Sequence, residues 1–178
     1  SNYLFLEGYL VASPKGMEVC KQAIEAAKES NTKVSISLSD PNIVNAFKNE
    51  IKTLLDMKCD LIFCNEDEAL AYAETNDILR AFQALKEVSP NFLITQGSSG
   101  CIGFDGKKDI DIPGHQVEAI DSNGAGDMFA GAVLYSLSQG QELGEGAKFG
   151  CYAASKVVSH VGPRLLKDGY REIKKNFS

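Results

Sequence analysis

The sequence predicts an α/β protein: a mostly parallel sheet with helices on both faces, followed by a β-hairpin and further helices. Three observations carry this reading. Four short apolar runs are separated by helix-period segments within the first 95 residues, the pattern of βαβ units. The run from Cys59 to Cys64 is apolar except at Asp60, as expected of a strand buried on both faces of a parallel sheet. Beyond Thr95 the pattern changes to two strand-like runs around Asp105-Gly106, then two long helical patterns.

Each element has its own signal. Residues 3–6 form an apolar strand that ends at Glu7-Gly8. Ser13-Pro14 starts a helix, with Ser as N-cap and Pro at the first helical position. Met17, Cys20, Ile24 and Ala27 recur at helical spacing before Asn31. Val34, Ile36 and Leu38 alternate in a second strand over 33–38. Asp40-Pro41 caps one helix carrying Ile43, Val44, Phe47, Ile51, Leu54 and Leu55. The third strand spans 59–64, a short helix 69–73, and a helix opened by Asp77 reaches Leu85. The fourth strand spans 91–95. A hairpin follows over 101–112, then an extended lead over 113–120. Helices are expected over 124–138, with Gly140 just past its end, over 143–160, stopped by Gly162-Pro163, and over 168–177.

With 178 residues, 44% hydrophobic and 24% charged, and no low-complexity linker or repeat, the chain is expected to be a single domain over 1–178. A net charge of −6 argues against a nucleic-acid or anionic-membrane surface. No apolar run approaches the roughly 20 residues of a membrane span. Five cysteines, odd in number and without a C-x-x-C pair, read as reduced, mostly buried thiols of a cytoplasmic protein. His115 and His160 are too few and too far apart for a zinc site. The chain enters a strand directly after Ser1-Asn2, without an initiator methionine, and is expected to be part of something longer.

Ligands of open parallel sheets sit at the carboxyl ends of the strands. Three polar clusters follow strands or extended segments there. Asn65 to Glu68 follows the third strand; alone, it also reads as a capping box. Thr95, Gln96, Gly97, Ser98, Ser99 and Gly100 follow the fourth; alone, they also read as a turn. The third is Asp121-Ser122-Asn123-Gly124-Ala125-Gly126-Asp127, running into an apolar helix pattern. Small residues there let a helix start with its first amides uncovered, which suits an anion. Asp127 in the first turn adds a proton acceptor, so amides and acid together suit phosphoryl transfer to a hydroxyl. The same stretch also reads as a loop-to-helix junction with a dipole-pairing Asp. Neither G-x-x-x-x-G-K-[ST] nor G-x-G-x-x-G is present, so a P-loop or dinucleotide fingerprint is not supported.

These clusters resemble the motifs of the ribokinase-like (PfkB) carbohydrate and nucleoside kinases. Asp121 to Asp127 resembles the C-terminal signature, Asn65-Glu66-Asp67-Glu68 the N-x-x-E motif, and Thr95 to Gly100 the T-x-G-x-x-G loop. Order and spacing agree over essentially the whole chain. Phe63 to Ala69, Ile94 to Gly97, Asn123 within its signature, and Tyr152 to Ser155 are most similar to the adenosine kinase branch.

The resemblance implies a three-layer α/β/α fold and transfer of the γ-phosphoryl group of ATP to a hydroxyl of a nucleoside or sugar. It assigns the base to Asp127 and the anion hole to the amides of Gly124, Ala125 and Gly126. Asn65 and Glu68 would organise Mg²⁺ and phosphates, Glu68 through water. Thr95 to Gly100, with Asn123, would line the nucleotide. Asp121 and Asn123, with backbone carbonyls near Val157, His160 and Gly162, match a potassium site. Cys151 falls where relatives often carry Asn or His near the adenine. The Gly-Gly substrate motif and the lid of the family's N-terminal part are not found in this chain. A sugar kinase, or a nucleotide-binding module without turnover, is the alternative.

Overall fold

The computed structural model describes residues 1–57 and 59–177, with the side chains of residues 176 and 177 excepted. Six strands make one sheet in the order β1-β2-β3-β4-β5-β6: β1 (Tyr3–Glu7), β2 (Lys33–Ser37), β3 (Leu61–Asn65), β4 (Phe92–Thr95), β5 (Gly100–Phe104) and β6 (Asp109–Pro113). β1 to β4 pair in parallel, with Leu6 beside Ile36, Ile36 beside Ile62 and Asn65 beside Thr95. The chain divides into two compact units: residues 1–95 with 103–109, and residues 96–102 with 110–178.

The first unit carries α1 (Pro14–Glu29), α2 (Pro41–Ala46), α3 (Lys48–Met57), α4 (Glu66–Ala73) and α5 (Ile78–Val88). The expected caps are in place: Ser13 Oγ accepts from the Gly16 amide, and Asp40 Oδ1 from those of Asn42 and Ile43. The middle of β2, Ser35 included, and β3 up to Cys64 are buried at consecutive positions, so the sheet is covered on both sides there. Phe92, Ile36, Ile62, Leu93, Ile94 and Leu85 are fully buried. Each such side chain contributes about 1.5–3 kcal/mol of burial energy.

Two expectations shift. The single helix expected from Asp40 to Leu55 divides at Phe47, whose backbone leaves the helical region at φ −128°, ψ 34°. Lys48, the first residue of α3, pairs with Glu74 at 2.9 Å and lies over the Tyr72 ring, a tertiary tie invisible in the apolar spacing. The third strand begins at Leu61 rather than Cys59. Asp60 instead closes the end of β2, its carboxylate accepting from the Val34 amide at 2.7 Å. This accounts for the one polar residue in that run.

The second unit carries α6 (Ala125–Ser138), α7 (Leu143–Val158) and α8 (Lys167–Phe177). α6 and α7 pack closely because α7 offers small residues: a Cβ at Gly150 would lie 2.7 Å from the Phe129 ring. Ala132, Phe149, Ala153 and Ile173 form a buried cluster, edged by Met128, Tyr152 and Leu165. Among the described residues, no helix is long and apolar enough to cross a membrane.

Candidate active site

In the first unit, β3 runs directly into α4, and Asn65 both ends the strand and caps the helix. Asn65 Oδ1 accepts from the Glu68 amide at 2.8 Å. Glu68 returns both oxygens, accepting from the Asn65 amide at 3.1 Å and from Asn65 Nδ2 at 2.8 Å. The capping box read from the sequence is therefore present. Only 5% of Glu68 is exposed. Burial pushes its carboxyl up to about 7, repulsion from Asp40, Asp67 and Glu7 adds to this, and the Asn65 amide opposes it. Glu7 and Asp40 were not among the expected site residues. Their positions, one at the end of a strand and one just past the next, were the available signal. Thr95 sits beside Asn65 in the β3–β4 register, at the ends of both strands.

The rest of the expected site lies in the second unit. Residues Gly97–Ser99 form one 3-10 turn, closed by the Gln96 amide donating to the Gly100 carbonyl at 2.8 Å. The Gly114 amide holds the turn from outside, donating to the Ser99 carbonyl at 3.0 Å. Gly100 has φ +102°, and a Cβ there would lie 2.0 Å from the Ile112 carbonyl oxygen, so only glycine fits. Gly97, Ser98 and Ser99 are exposed.

The entry to α6 is built differently from that of α4. Gly124 is the N-cap at φ +75°, and no side chain caps the helix. A Cβ on Gly124 would meet the Pro163 carbonyl oxygen at 2.3 Å, so the backbones of the two loops touch. Of the amides expected to form the anion hole, that of Ala125 donates to the Ser122 carbonyl at 3.2 Å. Among the described residues, the amides of Gly124, Gly126 and Asp127 make no backbone hydrogen bond. The Asp127 amide therefore joins those of Gly124 and Gly126 as an open donor, which the sequence reading did not include. The Asp127 carboxylate is exposed in the first turn. An open helix start with an acid beside it can hold an anion and accept a proton.

Asp121 fastens this entry. Its Oδ1 accepts from the Asn123 amide and its Oδ2 from the Gly162 amide, each at 3.0 Å. Both bonds hold its carboxyl below the usual carboxylate range. The Ile120 amide donates to the Val158 carbonyl at 2.7 Å, and the His160 amide to that of Val157 at 3.2 Å. Among the described residues, the buried Nδ1 of His160 has no hydrogen-bond partner. Of the five residues expected around potassium, Asp121, Asn123, His160 and Gly162 lie in two loops joined by direct hydrogen bonds, and Val157 lies in the last turn of α7. Cys151 is buried on α7, and its thiol hydrogen-bonds that of Cys101, which lowers the Cys151 thiol pKa against the upward pull of burial. Among the described residues, no three His, Cys, Asp or Glu side chains gather as a direct metal cage.

Comparison with known proteins gives these features a context. The model of the pfkB family of carbohydrate kinases matches residues 1–168. Adenosine kinase 1 of Arabidopsis thaliana is 30% identical over 178 residues, covering 91% of this chain and 51% of its own length. The adenosine kinase structure from Sinorhizobium meliloti superposes with a TM-score of 0.93 at 28% identity, covering 99% of this chain and 54% of that one. An E. coli protein provisionally named ribokinase II, solved with ATP and Mg²⁺, shares the fold at TM-score 0.85 and 19% identity, covering 98% of this chain and 57% of that one. The chain spans about half the length of the curated relatives it matches. The expected ribokinase-like α/β fold is the fold found, and the chain belongs to the pfkB family of carbohydrate kinases.

Proposed function

We propose that this protein serves an ATP-dependent kinase reaction, in which the γ-phosphoryl group passes to a hydroxyl of a nucleoside or sugar. The observation that carries the reading is the open start of α6, where the unpaired amides of Gly124, Gly126 and Asp127 lie with the exposed Asp127 carboxylate at one helix entry. Asp127 takes the proton of the acceptor hydroxyl, and the amides of Gly124, Gly126 and Asp127 stabilise the transferring group. The adenosine kinase relatives favour a nucleoside acceptor, with a sugar as the alternative.

Glu68 suits an outer-sphere role toward Mg²⁺. It is a buried carboxyl among other acids, and a nearby cation would return it to the ionised form. Magnesium, when bound, supplies neutralisation of the phosphate charge. Asn65 orients Glu68, while Thr95, the loop Gln96 to Gly100, Asn123 and Cys151 are assigned to the nucleotide. Asp121 and Asn123, with the carbonyls of Val157, His160 and Gly162, are assigned to potassium, and the orphaned Nδ1 of His160 supports an unmet polar demand there.

The test is Asp127→Asn, assayed for ATP binding and for phosphoryl transfer to adenosine and to ribose. Retained ATP binding with transfer lowered about 10²–10⁴-fold is expected. Near-normal transfer would sink the assignment of the base. The coverage of about half of each relative favours a second reading, in which this 178-residue chain binds nucleotide without turnover. ATP binding with no transfer by the unaltered chain is its outcome.

A further inference from the structure

The second unit contains a cavity of about 540 Å³ that none of the expected site residues other than Gly124 and Asp127 lines. It runs along one side of α6 from Asp127 to Tyr135, a span of about 12 Å at 1.5 Å per residue. Its volume lies within the range of small-molecule pockets, about 300–1,000 Å³. The middle is apolar and smooth: Gly131 and Ala132 on α6, Phe149 and Ala153 on α7, and Ile173 on α8. α6 is apolar or small at almost every position, so this wall offers little for water to bond. The ends are cationic. Arg164 lies beside the α6 entry and makes no ion pair among the described residues. At the other end Lys174 stands over the Tyr135 ring, 4.0 Å from its centroid. Asp127 is the one carboxylate in the lining. The lining thus carries two cations against one carboxylate, in a chain of net charge −6.

We propose that this cavity is a binding site for a small amphipathic anion: an apolar ring body lying along Gly131 and Ala132, with an acidic group drawn by Lys174 and Arg164. Apolar contact supplies the bulk of the attraction, and the cations select the charge. The cavity shares Gly124 and Asp127 with the proposed catalytic entry at one end, while its body along Gly131 and Ala132 takes no part in the proposed phosphoryl transfer.

The probe is 1-anilinonaphthalene-8-sulfonate, titrated by fluorescence into the full chain, with the uncharged 1-anilinonaphthalene as control. One equivalent should bind, and the neutral compound should bind at least about tenfold more weakly, the discrimination expected from a charge-assisted contact. Gly131→Leu is the decisive variant. A Cβ at Gly131, an exposed position in the cavity lining, meets nothing within 4 Å, so the leucine side chain starts from open space. Removing a helix-interior glycine also favours α6. This variant should keep or raise the thermal midpoint and lose the probe. Lys174→Glu and Arg164→Ala should each weaken the sulfonate and leave the neutral compound unchanged. Unchanged sulfonate binding in Gly131→Leu, or equal affinity for the two compounds, would overturn the proposal.

Discussion

The starts of α4 and α6 pose one structural problem and solve it in opposite ways. Each helix follows an extended segment and carries an acid in its first turn. At α4 the cap is complete. Asn65 satisfies the helix amide, and Glu68 is turned back, buried and pushed up to about 7. At α6 no side chain caps the helix, the amides of Gly124, Gly126 and Asp127 stay open, and the acid is exposed. A closed helix start spends its polar groups on itself and gains stability. An open one keeps them for a ligand and must be held from elsewhere, here by Asp121 and by backbone contact with Pro163.

This contrast can be broken experimentally, beginning with the largest effect. If the open start serves the chemistry, Asp127→Asn costs about 10²–10⁴ in transfer rate, or roughly 3–5 kcal/mol of transition-state stabilisation. A comparable loss of ATP affinity instead would place Asp127 in binding. Next is Gly124→Ala. The left-handed backbone and the approach to Pro163 both oppose a Cβ, so a loss of about 1–3 kcal/mol is expected in denaturant unfolding. An unchanged midpoint would mean that the α6 entry relaxes freely and is not held open by the loop. Asn65→Ala removes the closed cap and should cost about 0.5–2 kcal/mol. A smaller change than that of Gly124→Ala is the pattern that sharpens the comparison.

A pH slope tests the closed start further. The Glu68 carboxyl is raised in the folded state, so the native protein holds that proton more tightly than the unfolded chain. The stabilisation is complete below the unfolded value near 4.5 and is lost as pH rises through about 7. Thermal midpoints followed from pH 5 to 8 should fall in the wild type and fall less in Glu68→Gln. A slope unaltered by the substitution would assign it to other groups.

Much of this was legible in the residues. Ser13, Asp40, Asn65 and Asp77 cap the helices that their types and positions announced, because a cap is local chemistry over three or four residues. The alternation of strands and helices, and so the parallel sheet, followed from periodicity. The division at Phe47 was not legible, since it involves Lys48 and residues of α4 far along the chain. The ionisation of Glu68 was likewise hidden. The motif gives the carboxyl, but its burial and the charges of Glu7 and Asp40 come from folding.

The α6 entry divides in the same way. By itself the sequence determined that a helix starts at Gly124 with small residues and an acid, since glycine readily accepts the left-handed backbone of that turn. Which amides stay open was decided only by tertiary structure. The Ala125 amide turns back to Ser122, and the loop around Gly162 and Pro163, some forty residues on, pins the turn through Asp121. Local sequence chooses the conformations a turn can reach. Contacts distant in the chain select one of them, because only those contacts offset the entropy of holding it.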